Sequence, residues 1–346
     1  ANRAKNRSEK TLMDLSEDDR ALINVLQLAP RISWQDAGYV LGRHPTTLAA
    51  HWERLRTAGL AWVTAHLLGD PAHMTLSFVE IDCELRRRDE VEAALCAIPE
   101  VLSVEESASN RDLVLTVTTP SWADLTGRVL PQIARIPGIV KYRSAMCTAM
   151  HATADRWNLE ALSAPQRARL RTLVSPSASS YAGPPPSSYW PIVQVLSRNG
   201  RATAMEIAEA TGLHPVTARR QLNRVLGGGT LLFRCDVAQN YSGYPVSCQW
   251  FASLPPEERD SAVAVLRGFR SLRLCASTTG TSNFTFVMWM RSAAEVLGIE
   301  DQFLAAVPRA RIIESSLTVK FPKRVGVMLN PDTTATGEVV VPALPR

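Results

Sequence analysis

The densest chemistry in the chain lies in His214-Pro215-Val216-Thr217-Ala218-Arg219-Arg220-Gln221-Leu222-Asn223-Arg224. A guanidinium pairs bidentately with the O6/N7 edge of guanine, and a carboxamide with the N6/N7 edge of adenine. Arg219, Arg220, Asn223 and Arg224, joined by His214, Val216 and Thr217, therefore suit a helix entering a major groove. The competing reading is a solvated helix face. The same frame occurs 170 residues earlier, where Pro45 stands for Pro215. There Arg43, His44, Thr46, Thr47, His51 and Arg54 take comparable places with fewer cations, and threonine suits contact with a thymine methyl group. A packing module that only positions the chain is the alternative for this copy. His44 and His214 hold equivalent turn positions, which favours a turn or phosphate contact. No further ligand follows His44 and His51 at a useful spacing, so no metal is implied.

Both helices need a scaffold, and the sequence repeats it. Leu22, Val25 and Leu26 return as Ile192, Val195 and Leu196. Ser16 can cap a first helix, and Ser33 before Asp36 resembles the cap that Thr203 and Glu206 form as a capping box. Gly42 and Gly212 mark a tight turn, and Pro45 and Pro215 fit the first position of a third helix. Beyond each trihelical unit the period becomes alternating. Strands are expected at Leu76–Ile81, Val101–Ser107, Leu113–Val117 and Tyr142–Met150, with helices carrying Val91, Ala94, Leu95, Ile98 and spanning about Ser121–Ile136. The helix stripe recurs 171 residues on as Ala262, Val265, Leu266 and Phe269.

The expected fold is α+β: two copies of a trihelical helix-turn-helix domain followed by a ferredoxin-like β-α-β-β-α-β domain. The units are placed at 12–67, 73–152, 159–235 and 244–325. A Ser/Pro-rich linker at 175–188 interrupts the third, because Leu162-Ser163-Ala164-Pro165-Gln166-Arg167 resembles Leu15-Ser16-Glu17-Asp18-Asp19-Arg20, and 326–346 reads as an extended tail.

With 46% hydrophobic and 21% charged residues, the 346-residue chain has ordinary globular composition. Its net charge of +5 makes a polyanionic partner plausible. That charge is uneven: Leu12–His66 holds five arginines against six acids, whereas Trp190–Arg234 holds six against two. The second unit is expected to dominate phosphate neutralisation. Six scattered cysteines without a Cys-x-x-Cys pair signal neither a zinc site nor a disulfide framework, and they read as reduced, mostly core thiols. No signal peptide or membrane span is legible, which makes the cytoplasm the expected compartment. Gly227-Gly228-Gly229 lacks the strand and lysine of a phosphate loop. Trp122, Trp250 and Trp289 read as core or interface residues, and no cofactor is implied.

Gly42–Gly59, Gly200–Gly229 and Ala97-Ile98-Pro99-Glu100-Val101 together resemble the Lrp/AsnC family of transcription regulators. The resemblance implies binding to double-stranded DNA, a small-molecule effector such as an amino acid, and a homo-oligomer. Because one chain carries what a family dimer carries, it also implies an intrachain pseudo-dimer. Effector binding in the family lies near a Gly-x-x-Asp loop, which places Ser109, Asn110, Arg111 and Asp112 in the first half and Thr279, Gly280, Thr281, Ser282 and Asn283 in the second. The first keeps the acid and lacks the glycine, and the second has the reverse. These segments are expected to be loop tips whose substitution spares the fold.

Siroheme decarboxylases share this plan, so an enzyme is the alternative from another class. It would need cations for tetrapyrrole carboxylates and a proton donor, with Arg111, Arg143, His73 and His151 as candidates. A third alternative is an interaction protein with decayed readers, whose DNA affinity would be weak and insensitive to salt.

Overall fold

A computed structural model describes residues 15–67, 74–153, 157–174 and 186–342. His73 and most of the Ser/Pro-rich linker lie outside them. The first unit is α1 (Glu17–Leu28), α2 (Trp34–Leu41) and α3 (Pro45–Thr57), followed by strand β1 (Ala61–Leu67). Ser16 and Asp19 form a reciprocal capping box on α1, and Ser33 caps α2. The turn into α3 needs a left-handed residue, which Gly42 provides at φ +66° without the steric cost of a side chain. Leu22, Val25, Leu26, Leu48, Trp52 and Leu55 close the core.

The first sheet domain comprises β2 (Thr75–Cys83), α4 (Arg88–Cys96), β3 (Val101–Ser107), β4 (Leu113–Thr119), α5 (Trp122–Asp124), α6 (Leu130–Ala134) and β5 (Ile139–Ala152). A π-turn at Leu125–Val129 joins α5 to α6. Helix α7 (Ala164–Leu173) comes next. The second trihelical unit is α8 (Trp190–Arg198), α9 (Ala204–Thr211) and α10 (Pro215–Gly227), with strand β6 (Leu231–Val237). The second sheet domain comprises β7 (Val246–Ser253), α11 (Arg259–Arg267), β8 (Leu272–Thr278), β9 (Phe284–Met290), α12 (Glu295–Ala306) and β10 (Arg311–Arg324). Strands β11 (Val327–Leu329) and β12 (Ala335–Val339) end the described chain.

Each sheet domain has the ferredoxin-like strand order, β3-β4-β2-β5 in the first half and β8-β9-β7-β10 in the second. The last strand of each is long, and its two ends belong to different sheets. Strand β5 pairs with β2 up to Met146 and with β8 from Cys147. Strand β10 pairs with β7 up to Leu317 and with β3 from Thr318. Eight strands thus close into a ring with reciprocal seams. The seams share one register: Cys147 opposite Thr278 matches Thr318 opposite Ser107, and Ala152 opposite Cys275 matches Lys323 opposite Val104, each related by 171 residues.

The trihelical units are joined by a separate two-stranded sheet of β1 and β6, in which Thr64 faces Arg234. These residues are 170 apart and hold equivalent positions, so the pseudo-twofold relation passes between them.

Two expectations are corrected. Helix α7, expected to open the second trihelical unit, packs on α2 of the first, with Leu170 in that core and Arg169 over the Tyr39 ring. Its resemblance to the start of α1 lies in its cap, where Ser163 and Gln166 form a capping box, and a cap specifies a helix start and no packing partner. The expected extended tail is a β-hairpin on the edge of β10, and the Ala335 amide bonds to the Gly59 carbonyl at 2.9 Å. A Cβ at Gly59 would stand 2.3 Å from the Ala335 carbonyl oxygen, so glycine is required where the hairpin docks. Trp250 and Trp289 are buried in the core, and Trp122 is 58% exposed. The cysteines are unpaired; four are buried and two half-buried.

Candidate nucleic-acid interface and effector loops

At 100° per residue, inward Leu48, Trp52 and Leu55 put Thr46, Ala50 and Glu53 on the outward face of α3. On α10, inward Ala218, Leu222 and Val225 put Val216, Arg220 and Asn223 outward, with Arg219 exposed beside them. The two outward faces therefore differ in kind. That of α10 offers guanidinium and carboxamide donors beside an apolar Val216. That of α3 offers a small residue, a hydroxyl, and a carboxylate paired with Arg56 at 2.6 Å, which holds Glu53 below the ordinary carboxylate range.

The remaining cations of the first unit are held internally. Arg43 pairs with Asp18 at 2.8 Å and Arg54 with the buried Asp19. Burial would raise the Asp19 carboxyl, but Arg54 and Ser16 bring it below its usual value. Thr47 and His51 turn sideways toward Asp18 and Gln166, lining a concavity of about 280 Å³. His44 stands at the N-cap position of α3 without a side-chain cap bond, its Nδ1 2.8 Å from the Thr46 hydroxyl, while His214 Nδ1 accepts the Val216 amide of α10 at 3.4 Å. In the second unit Arg224 donates to the Tyr189 hydroxyl at 3.1 Å, and Thr217 is half-buried.

Two arginines counted toward phosphate binding serve elsewhere. Arg31 donates to the Gly200 and Ala202 carbonyls of the other unit, and Arg201 donates to those of Pro30 and Ile32 at 2.7 and 2.9 Å. Arg201 stacks on Trp34 with 4.1 Å to the ring centre. Burial, then the nearby Arg31, lowers the Arg201 guanidinium to about 10. The signal was legible, since the two arginines stand 170 apart in matching frames, but charge counting does not see which surface a residue faces.

The effector loops are not free tips. Asp112 accepts the Cys83 amide at 2.8 Å and pairs with Arg88 at 2.5 Å. Its counterpart Asn283 accepts the Leu254 amide at 3.0 Å and donates to the Leu254 carbonyl at 2.9 Å. Acid and amide thus perform the same tie between loop and strand end, which explains why either serves. The Arg111 side chain is 5% exposed, pairs with Glu314 and Glu80, and stacks on Phe251 at 4.3 Å. Ser109 donates to Glu314 at 3.1 Å. The first loop is therefore built into the contact between halves. In the second loop Thr279 bonds Met146 in both directions and Thr278 donates to the Ser282 carbonyl at 3.0 Å, leaving Gly280 and Thr281 exposed, as Asn110 is in the first.

Among the described residues no His/Cys/Asp/Glu group is placed to hold a metal ion, and no helix is long and apolar enough to cross a membrane.

Paired trihelical units on paired ferredoxin-like domains define the structural class. Residues 76–154 match the family described as Lrp/AsnC ligand binding domain. An uncharacterized HTH-type transcriptional regulator of Pyrococcus horikoshii is 24% identical over 140 residues, covering 40% of this chain and 89% of that protein. An HTH-type transcriptional regulator of Pyrococcus furiosus is 23% identical over 142 residues, covering 40% and 91%. Along the whole chain, the solved structure of the siroheme decarboxylase NirDL in complex with an iron-uroporphyrin III analogue is similar, with a TM-score of 0.57 over 90% of this chain and 93% of that one at 13% identity. That likeness is one of fold.

Proposed function

We propose that this protein is a sequence-specific, DNA-binding transcription regulator of the Lrp/AsnC type, a tandem duplication in which the second helix-turn-helix unit reads bases and the first positions the assembly. The observation that carries this reading is the outward face of α10, where Arg219, Arg220 and Asn223 are exposed, set against an α3 whose arginines are bound to their own carboxylates. Regulators among the relatives and the ligand-binding domain match support it. A small-molecule effector, such as an amino acid or related metabolite, would act by binding one arrangement of the assembly better than another.

The decarboxylase reading finds three of its four candidate residues engaged, and the fourth, His73, lies outside the described residues. Arg111 is held by two glutamates, Arg143 by Glu80 and Asp82 at 3.0 and 2.8 Å, and His151 lies 2.8 Å from the Ser277 hydroxyl while stacked on Phe284. Cations already neutralised inside the fold have little left for the carboxylates of a tetrapyrrole.

The test is titration of the purified protein against sheared genomic DNA at several salt concentrations, with sequencing of retained fragments. Enrichment of a recurrent site with a steep salt slope is expected. Weak, unenriched binding overturns the reading and directs attention to tetrapyrrole binding.

A further inference from the structure

A concavity of about 490 Å³, within the size range of small-molecule sites, opens where α1, α7 and the second sheet domain meet. Its lining is mixed: Leu170 and Asn24 are buried, Asn24 donating to Asn158 at 2.9 Å, while Leu28 and Val174 remain 42% and 38% exposed. Leu28 and Val174 thus present apolar surface inside the hollow and not singly on an open face.

The rim is cationic. Arg167 and Arg171 lie one turn apart on α7, are exposed, and form no ion pair among the described residues. Arg270 enters from the loop after α11. The facing carboxylate, Glu160, already pairs with Arg270 at 2.8 Å, so the rim keeps a positive excess. Half-exposed Leu28 and Val174 beside the guanidinium groups of Arg167 and Arg171 suit a molecule with an apolar body and an anionic head, because carboxylates accept charge-assisted bonds from arginine forks.

We propose that this hollow binds an amphipathic small-molecule carboxylate. The hollow is distinct from the loops at Ser109–Asp112 and Thr279–Asn283. It bridges the first trihelical unit, through α1 and α7, to the second sheet domain, through Arg270. An occupant touching all three would hold the first unit against that domain. As an effector site the proposal rests on the regulator reading; as a binding site it does not.

The probe is octanoate, with octanol as neutral control and inorganic phosphate as anion control, added to the full chain in thermal unfolding. Octanoate is expected to raise the melting temperature saturably, by about 3 °C when well above its dissociation constant, whereas neither control does so. Arg171→Gln and Arg270→Gln should each weaken the response at least tenfold in half-saturating concentration, and Arg171→Lys should restore part of it. Both arginines are exposed, so the unliganded variants should melt close to the parent. No saturable shift, an equal shift with octanol, or an unaltered response in both glutamine variants overturns the site. DNA affinity measured in parallel without octanoate separates this outcome from failure of the regulator reading.

Discussion

Arg31 and Arg201 each belong to one trihelical unit and hydrogen-bond the backbone of the other, in a reciprocal exchange across the β1–β6 ribbon. Each reaches carbonyls at a matching place, Gly200 and Ala202 for the first, Pro30 and Ile32 for the second. The orientation of the two units is therefore fixed by two half-buried cations as well as by seven residue pairs between the strands.

Replacing Arg201 with alanine should cost about 1–3 kcal/mol, because it removes bonds to two carbonyls and the stacking on Trp34. The same variant should loosen the spacing of the units and lower affinity for a two-part DNA site more than for a single half-site. Equal losses on both DNAs would reject the orienting role.

Removal of Arg219 and Arg220 together should weaken DNA binding and flatten its dependence on salt by roughly one unit of slope per lost phosphate contact. Arg43→Ala, which breaks an internal pair with Asp18, should leave the slope near that of the parent. The comparison is read from fluorescence anisotropy at several salt concentrations, and an unaltered slope in the double variant sinks the assignment of α10.

Asp112→Ala and Asn283→Ala should both destabilise the fold by about 1–3 kcal/mol, since each strands a strand-end amide that its side chain satisfies. Denaturant unfolding measures this directly. Parent-like stability in both variants would return these loops to the role of free tips.

His66, on β1, supplies a pH test. Burial, then the charge of Arg234, lowers its imidazole from 6.5 to about 4. Between those values the unfolded chain binds the proton and the folded chain does not, so this contribution is complete above pH 6.5 and is lost as pH falls toward 4. The stability difference between the parent and His66→Phe should change across that window and be level above it. A difference that is level throughout refutes the shift.

Local features were legible in the sequence to the extent that local chemistry decides them. Caps at Ser16, Ser33 and Thr203, left-handed turns at Gly42 and Gly212, and prolines at Pro45 and Pro215 act within one turn of the chain, and they fixed the trihelical units and their spacing. The succession of strands and helices along each sheet domain followed from alternation and from the helical stripe. What escaped was pairing at long range. Nothing in Thr318–Lys323 indicates β3 as its partner, because an alternating strand end reads the same whichever edge it joins. Helix α7 was misplaced for a similar reason: its capping box was visible, and its docking on α2 was not. At the candidate site the sequence displays residue types and not their availability, since Arg31, Arg54, Arg111 and Arg201 are all occupied by partners distant in sequence.

The reciprocal seams that close the eight-stranded ring have a further consequence. An assembly of two separate chains dissociates on dilution, at a concentration set by its affinity. Here the two halves are tethered, so their encounter is intramolecular and its effective concentration is set by the connecting chain. The paired units should stay paired at any abundance of the protein. Occupancy of a single DNA site should then rise in simple proportion to chain number at low abundance, without the threshold that a dimerisation step imposes.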